Sequence, residues 1–398
     1  MLLLASNFPP VIGGSARVYA QIAQAAAGHV RVLTARRFYV DGRELADWRV
    51  HDQAQNYLVE RLDLLRTPLQ GGGQHGGLRK WRQRLTDMIL RTRVLAALFR
   101  RVYLGPVRCV CIGELVANGW IARWLKFWPG VRTVIYVHGE ELTTADGYDA
   151  DGARRRCFLR AADAVIAVSR FTEQTLHHFA GEDLPVTVIA NGVDFARFER
   201  AAPGEHRQGL GWDDCFVFIS VCRLLEKKGI DHALRAFARL ARQRVEVRYL
   251  IVGEGEYEPR LRRIAAEEGI MDRVAFVGRV DEGELPAIYK AGDVFVMPNR
   301  RLPNGDTEGF GLVFLEANAA GLPVIAGRDG GSVDAVRDEY NGLLVDGASI
   351  DAIEAAMARL LDNAVLRRKL AENGLRHARE NDWYRKSWEF LRLCLGET

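Results

Sequence analysis

The sequence predicts an α/β protein made of two doubly wound parallel-sheet halves of similar size. Three observations lead there. Apolar runs of strand length alternate with amphipathic stretches of helix length along most of the chain. The alternation breaks once, across 191–211, where polar residues, Pro203 and several glycines carry no periodic apolar stripe. With 398 residues, the chain is too long for one ordinary core.

The first half opens with a buried strand, Leu2–Ala5, followed by the loop Ser6–Gly14 and a helix from Ser15 to about Ala27 with Val18, Ile22 and Ala26 at core spacing. Val30–Thr34 completes a β-loop-α-β start, the opening of a parallel sheet covered by helices. Further strands are expected at Val107–Ile112, Thr133–Val137, Ala164–Val168 and Val186–Ile189. The glycine-rich run Gln70–Gly77 reads as a mobile surface loop. A long amphipathic helix, Leu78–Tyr103, follows it. Trp81, Leu85, Met88, Ile89, Leu95, Phe99 and Tyr103 form one apolar stripe. Arg79, Lys80, Arg82, Arg84, Arg91, Arg93, Arg100 and Arg101 fill the rest, against Asp87 as the one acid among them.

The expected organisation is a first domain over 1–195, a linker over 196–211, a second domain over 212–380 and a final aromatic-rich helix over 381–398. The second domain restarts the alternation. Its strands are Val217–Val221, Tyr249–Val252, Val274–Val277, Val294–Met297 and Val324–Ala326. Its helices are Ile230–Ala241, Pro259–Glu268, Leu285–Lys290 and one from about Gly311.

Composition excludes several classes. The formal net charge is +4, so no global field argues for nucleic acid. Six cysteines occur without a C-x-x-C pair or zinc-ligand spacing, which points to reduced, mostly buried thiols, a cytoplasmic setting and no bound metal. The apolar start, Met1–Ala5, is too short for a signal peptide. No apolar run reaches the roughly 18 residues of a membrane span.

Ligands of open α/β sheets gather beyond the carboxyl ends of the strands, and five clusters fall there. The loop Asn7–Gly14 ends in Gly13 and Gly14 before a helix, so backbone N–H groups can approach an anion. It is neither G-x-G-x-x-G nor a Walker A sequence. Arg223 and Lys228 follow the first strand of the second half and precede Gly229 and a helix, which suits two cations on one phosphate group. The segment Asp306–Ala317 sets Glu308 in a polar loop and Glu316 inside an apolar helix, where an unpartnered charge is costly. Gly309 and Gly311 open that helix to a ligand; two carboxylates suit hydroxyl recognition. His138 ends an apolar strand. Its H-x-E spacing lacks the P-C-x-x-C partner of a zinc deaminase. Asn191-Gly192-Val193-Asp194 closes the first half and reads as a turn facing the region between the halves.

Taken in order, Gly13-Gly14, His138, Ser169, Asn191–Asp194, Arg223 with Lys228, and Glu308 with Glu316 resemble the retaining glycosyltransferases of family 4 over essentially the whole chain. The resemblance implies a GT-B fold: two Rossmann-like domains facing a central cleft. It implies hexose transfer from a nucleotide sugar to a glycan, lipid-linked or small-molecule hydroxyl, with retention and without a metal. Arg223 and Lys228 would then neutralise the donor diphosphate, and Glu316 would bind the ribose. Glu308, Gly309 and the backbone of Phe310, Gly311 and Leu312 would hold the sugar. His138 would contact it near the reacting carbon, and Gly14 would approach the phosphate. Asn191 and Arg279 join the donor set, and the last helix would cross back to the first domain. The stretch Pro298–Asp306, with Pro323–Gly327 and Gly330-Gly331, is similar to the phosphatidylinositol mannosyltransferase subgroup and favours GDP-mannose over UDP-hexoses.

The basic helix 78–103, with Trp120, Trp124, Phe127 and Trp128 nearby, suits an anionic bilayer surface at the inner face of the membrane, and equally a core-packed helix with a solvated face. Acceptor recognition is expected in the loops Phe38–Trp48 and Leu69–Gly77. Two other readings stay open: a dinucleotide-dependent oxidoreductase, suggested by Gly253-Glu254-Gly255, and a non-catalytic sugar-nucleotide-binding protein.

Overall fold

A computed structural model describes residues 1–11, 13–67, 77–143 and 149–397. Ile12, the stretch 68–76 and the side chains of Arg79, Lys80 and Arg82 lie outside the described residues. The chain divides into two units. One is Met1–Ile189 together with Trp383–Thr398; the other is Ala190–Asp382.

Among the described residues, the first unit has seven parallel strands: β1 (Leu2–Leu4), β2 (Arg31–Ala35), β3 (Leu58–Leu62), β4 (Cys109–Gly113), β5 (Arg132–Val137), β6 (Ala164–Ala167) and β7 (Val186–Val188). Their order is β3-β2-β1-β4-β5-β6-β7. β1 pairs with β2 through Leu2 and Arg31, and with β4 through Leu2 and Val110. The strand order therefore reverses between β1 and β4, where the loops leaving the two strands diverge and open a crevice. β1, β4 and β6 are buried throughout, as strands covered by helices on both faces must be. β3 was not anticipated from the sequence. Glu60 and Arg61 interrupt its apolar pattern, and it lies at the sheet edge.

The last helix, Trp383–Leu395, belongs to this unit. Arg132 Nε donates to the Leu393 carbonyl at 3.1 Å, and Phe390 meets Tyr136 edge-on at 6.0 Å.

The helix Gly77–Tyr103 turns a different face to the core than the apolar stripe read from sequence. Leu90, Val94, Leu98 and Val102, four residues apart, are buried. The stripe of Trp81, Leu85, Met88, Ile89, Phe99 and Tyr103 points to solvent, with Trp81 63% and Met88 57% exposed. A four-residue spacing selects one face of a helix, and this helix carries two such faces.

The second unit has six parallel strands among the described residues: β8 (Phe216–Val221), β9 (Val247–Val252), β10 (Val274–Gly278), β11 (Val294–Met297), β12 (Val324–Gly327) and β13 (Gly342–Val345). Their order, β10-β9-β8-β11-β12-β13, places the reversal between β8 and β11. Residues 195–199 and 206–210 form short helices within this unit.

Candidate functional site

In the second unit the chain leaves β8 through Arg223 and a tight helical turn, Glu226–Lys228, and enters the helix Ile230–Gln243. The adjacent lysines face different partners. Lys227 is buried and donates to Asp306 Oδ1 at 2.9 Å and to the Thr307 carbonyl at 3.3 Å. Lys228 pairs with the carboxylate of Glu308. The first is an anchor; the second sits at the strand end where a ligand would lie. Arg223 is exposed and has no partner among the described residues, so its guanidinium is free to meet an anion.

Anchoring continues along Pro298–Asp306. Arg300 forms a buried two-bond pair with Asp231, at 2.7 and 3.0 Å, and its N–H donates to the Lys227 carbonyl at 2.9 Å. Asn299 donates to the Asp329 carbonyl at 2.8 Å, and the Arg301 N–H donates to Asp329 Oδ2 at 3.2 Å. These bonds fix the chain just ahead of Glu308. The Gly331 N–H then donates to the Glu308 carbonyl at 2.8 Å. A loop tied down on both sides holds the Glu308 side chain with less entropy left to lose on any binding.

Gly311 caps the next helix, Leu312–Ala319, in the left-handed region at φ 85°. A Cβ there would also lie 2.5 Å from the Phe314 ring, so this turn requires glycine. Phe310 is buried beside it. Glu316 is buried in the same helix, and the Tyr289 O–H donates to its Oε2 at 2.8 Å. That bond accounts for part of the cost of a carboxylate in an apolar helix. Burial also pushes the Cys222 thiol, which faces the charges of Lys228 and Glu308, up to about 12, keeping it a neutral packing group.

At the other switch point, in the first unit, Glu114 leaves β4 in the left-handed region and turns its carboxylate onto the loop after β1. It accepts from the Ser6 N–H at 2.7 Å, the Asn7 N–H at 3.1 Å and Asn118 Nδ2 at 3.1 Å. Asn7 Nδ2 in turn donates to Ser15 Oγ at 2.9 Å, tying the loop to the first turn of the helix Gly14–Ala25. Gly13 lies against Asn7, whereas a Cβ at Gly14 would meet nothing within 4 Å. The helix N-terminus at Gly14 is therefore open to an anion.

His138 follows β5. Its Nε2 is 2.9 Å from the Tyr19 hydroxyl, and its ring stands edge-on to Tyr19 and Tyr136. Burial lowers its pKa to about 4, so the ring is neutral at neutral pH. Glu141 accepts from the Gly139 N–H at 2.9 Å; burial pushes its carboxyl up to about 7 and that of Glu114 to about 8. Tyr19, Glu114, Lys227 and Tyr289 carry no local sequence signal. Each is a single polar residue whose meaning depends on what the sheet topology brings beside it.

Both units place basic groups or helix N-termini with hydroxyl-binding groups at a switch point, an arrangement that suits a phosphorylated sugar compound. Residues 12–197 match the family described as Glycosyltransferase Family 4, and residues 204–377 match Glycosyl transferases group 1. A GDP-mannose-dependent alpha-(1-6)-phosphatidylinositol monomannoside mannosyltransferase of Mycolicibacterium smegmatis is 36% identical over 77% of this chain and 81% of its own length. This chain is a family 4 glycosyltransferase. A Corynebacterium glutamicum relative, named for the monoacylated form of that acceptor, is 32% identical over 65% of this chain and 68% of its own length. Among solved structures, Anabaena HepE in complex with UDP and glucose superposes with a TM-score of 0.76 at 20% identity, covering 98% of each chain. Sucrose-phosphate synthase of Thermosynechococcus elongatus gives 0.74 at 23% identity, covering 98% of this chain and 97% of its own.

The glycosyltransferase fold is thus GT-B, and the enzyme is a hexosyltransferase with a nucleotide sugar as co-substrate. The oxidoreductase and non-catalytic readings give way to it. The remaining residues of the family 4 pattern have visible structural duties. Ser169 caps the helix Arg170–Ala180, accepting from the Thr172 N–H at 3.0 Å. Asp194 caps the helix Phe195–Glu199, accepting from the Arg197 N–H at 3.2 Å. Asn191 is buried, and Arg279 is exposed after β10 with no partner among the described residues.

Proposed function

We propose that this enzyme transfers mannose from GDP-mannose, with retention, to a hydroxyl of a lipid-linked acceptor at an anionic membrane surface. In this reading Arg223 and Lys228 hold the diphosphate and stabilise the charge that grows on it as the sugar leaves. Glu316 binds the ribose. Glu308 and the backbone from Gly309 to Leu312 hold the sugar, and His138 contacts it near the reacting carbon. Gly13 and Gly14 leave room for the phosphate, and Asn191 and Arg279 complete the donor set.

The lipid assignment rests above all on the exposed stripe of the helix Gly77–Tyr103. Phe99, 53% exposed, clusters with Tyr103 and Trp128 at ring distances of 4.7 and 5.7 Å, and Phe127, 80% exposed, lies nearby in the chain. Arg84, Arg93 and Arg100 are exposed on the same helix without partners among the described residues. Large exposed aromatics beside arginines suit an interface between headgroups and acyl chains. No helix among the described residues is long and apolar enough to cross a membrane. The relatives named above supply GDP-mannose and the glycolipid class. A second reading comes from relatives named D-inositol 3-phosphate glycosyltransferases, one 36% identical over 56% of this chain.

The experiment is a transfer assay with GDP-mannose and UDP-glucose, each offered to mannosylated phosphatidylinositol in vesicles and to D-inositol 3-phosphate in solution. Mannose incorporated into the lipid, in the presence of a chelator, supports the proposal. Transfer to the soluble acceptor alone replaces it with the second reading.

A further inference from the structure

The Tyr19 phenol lies buried against the carboxyl ends of β4 and β5 and touches two groups. Its oxygen accepts the Glu114 N–H at 3.3 Å, and it is 2.9 Å from His138 Nε2. Among the described residues the phenol has no other hydrogen-bond partner, so its own proton has one acceptor within reach: the imidazole nitrogen. A buried hydroxyl left without an acceptor is costly, which selects this direction for the bond. His138 Nδ1 has no partner among the described residues.

The surroundings enforce the contact. A Cβ at Gly113 would lie 2.6 Å from both Tyr19 Cζ and its hydroxyl oxygen, so only glycine at the end of β4 leaves space for the ring. Tyr136 stands edge-on to His138 at 4.9 Å and lies tilted against Tyr19 at 5.9 Å, limiting rotation of the imidazole. Burial keeps the phenol protonated and the imidazole neutral at neutral pH, so donor and acceptor are both in the form this bond needs.

We propose that Tyr19 is a positioning residue: its O–H donates to His138 Nε2, holds the ring in the Nδ1–H tautomer and so presents an N–H donor to a hydroxyl of the bound sugar. The inference deepens the placement of His138 at the transferred sugar and rests on it for the last step. The tautomer of a histidine follows from the bond its other nitrogen makes. With the opposite tautomer, Nδ1 would be an acceptor and could not donate to a sugar oxygen.

The test is ¹⁵N NMR of the full-length protein labelled at histidine, with the His138 ring signals assigned by their loss in His138→Asn. At neutral pH the wild-type protein shows Nδ1 protonated and Nε2 bare. Tyr19→Phe moves the ring to the Nε2–H form or to a mixture, and lowers kcat about tenfold with nucleotide affinity unchanged. Wild-type protein with the proton on Nε2 overturns the proposal, and so does Tyr19→Phe with an unaltered tautomer. The wild-type spectrum decides even if the variant does not fold. A changed tautomer with unchanged kcat upholds the hold of Tyr19 on His138 and overturns the placement of His138 at the sugar.

Discussion

Lys228 and Glu308, eighty residues apart, close on each other as an ion pair across the β8/β11 switch point, each side chain only 13% exposed. Because they share one small volume, removing either strands a partly buried charge. Lys228→Met is expected to lower the melting temperature, with a cost on the order of 1–3 kcal/mol. It should also lower kcat about 100-fold, through lost stabilisation of the leaving diphosphate. The double variant Lys228→Met/Glu308→Gln should recover most of the stability and none of the turnover. Thermal melts and initial rates on the three proteins check this. A double variant that melts no higher than Lys228→Met denies the coupling.

Glu316 is held by the Tyr289 hydroxyl at 2.8 Å before any ribose is considered. Glu316→Ala should weaken GDP binding about 10- to 100-fold, the scale of a lost charge-assisted pair of bonds. Tyr289→Phe keeps the carboxylate and loses only its orientation, so a loss of a few-fold is expected. Titration calorimetry with GDP orders the two. Unchanged affinity in Glu316→Ala refutes its ribose role.

Gly14 and Gly311 both stand at helix starts in sequence, yet a methyl group should do different things at each. At Gly14 the Cβ position is empty space, so Gly14→Ala should leave the melting temperature within about a degree and weaken donor binding. At Gly311, φ is 85° and the Phe314 ring is in the way, so Gly311→Ala should destabilise the second unit by roughly 1–3 kcal/mol. Melting curves with and without GDP separate the two effects.

These residues mark what the sequence discloses and what it withholds. Two parallel-sheet units follow from the alternation of apolar runs, because strands buried on both faces must be apolar throughout. Arg223, Lys228 and Glu308 stand out because charges and glycines interrupt the apolar pattern beyond strand ends, and Glu316 because it is a charge inside an apolar helix. Lys227 was hidden by its neighbour: identical side chains on adjacent residues take different partners, and only the fold shows which one is buried on Asp306. Tyr19 reads as an ordinary apolar-face residue until β4 and β5 bring Glu114 and His138 to it. β3 and β13 passed unseen, the first because Glu60 and Arg61 break the pattern, the second because the turn dipeptides Asn341-Gly342 and Asp346-Gly347 close in on Leu343–Val345.

The buried groups near His138 make stability depend on pH in opposite senses. The His138 pKa falls from 6.5 to about 4, so its contribution is present above 6.5 and is lost as pH falls through 4. The Glu114 pKa rises from 4.5 to about 8, so its contribution is present below 4.5 and is lost as pH rises through 8. Comparing variants isolates one group. Between pH 6.5 and 4, His138→Asn should lose less stability than wild type, by up to about 3 kcal/mol. Urea melts at three pH values across that window measure the gap. A gap that stays constant with pH contradicts a neutral, buried His138.

The exposed stripe of the helix Gly77–Tyr103 makes the membrane reading separable into apolar and electrostatic parts. Trp81, Met88 and Phe99 would enter the interface, while Arg84, Arg93 and Arg100 would stay at headgroup level. Trp81→Ser/Phe99→Ser should reduce sedimentation with both anionic and neutral vesicles. Replacing the three arginines by glutamine should reduce it only with anionic vesicles, by about 1 kcal/mol per charge at low salt. That difference should shrink as ionic strength rises toward 0.5 M, because screening shortens the reach of the arginines and leaves apolar burial intact. Since the arginine side chains face solvent, the glutamine variant should melt like wild type, and the serine variant should lose only the packing of the Phe99 ring on Tyr103 and Trp128. Equal sedimentation of wild-type protein with anionic and neutral vesicles would remove the electrostatic half of the argument. Unchanged binding of the serine variant would remove the apolar half.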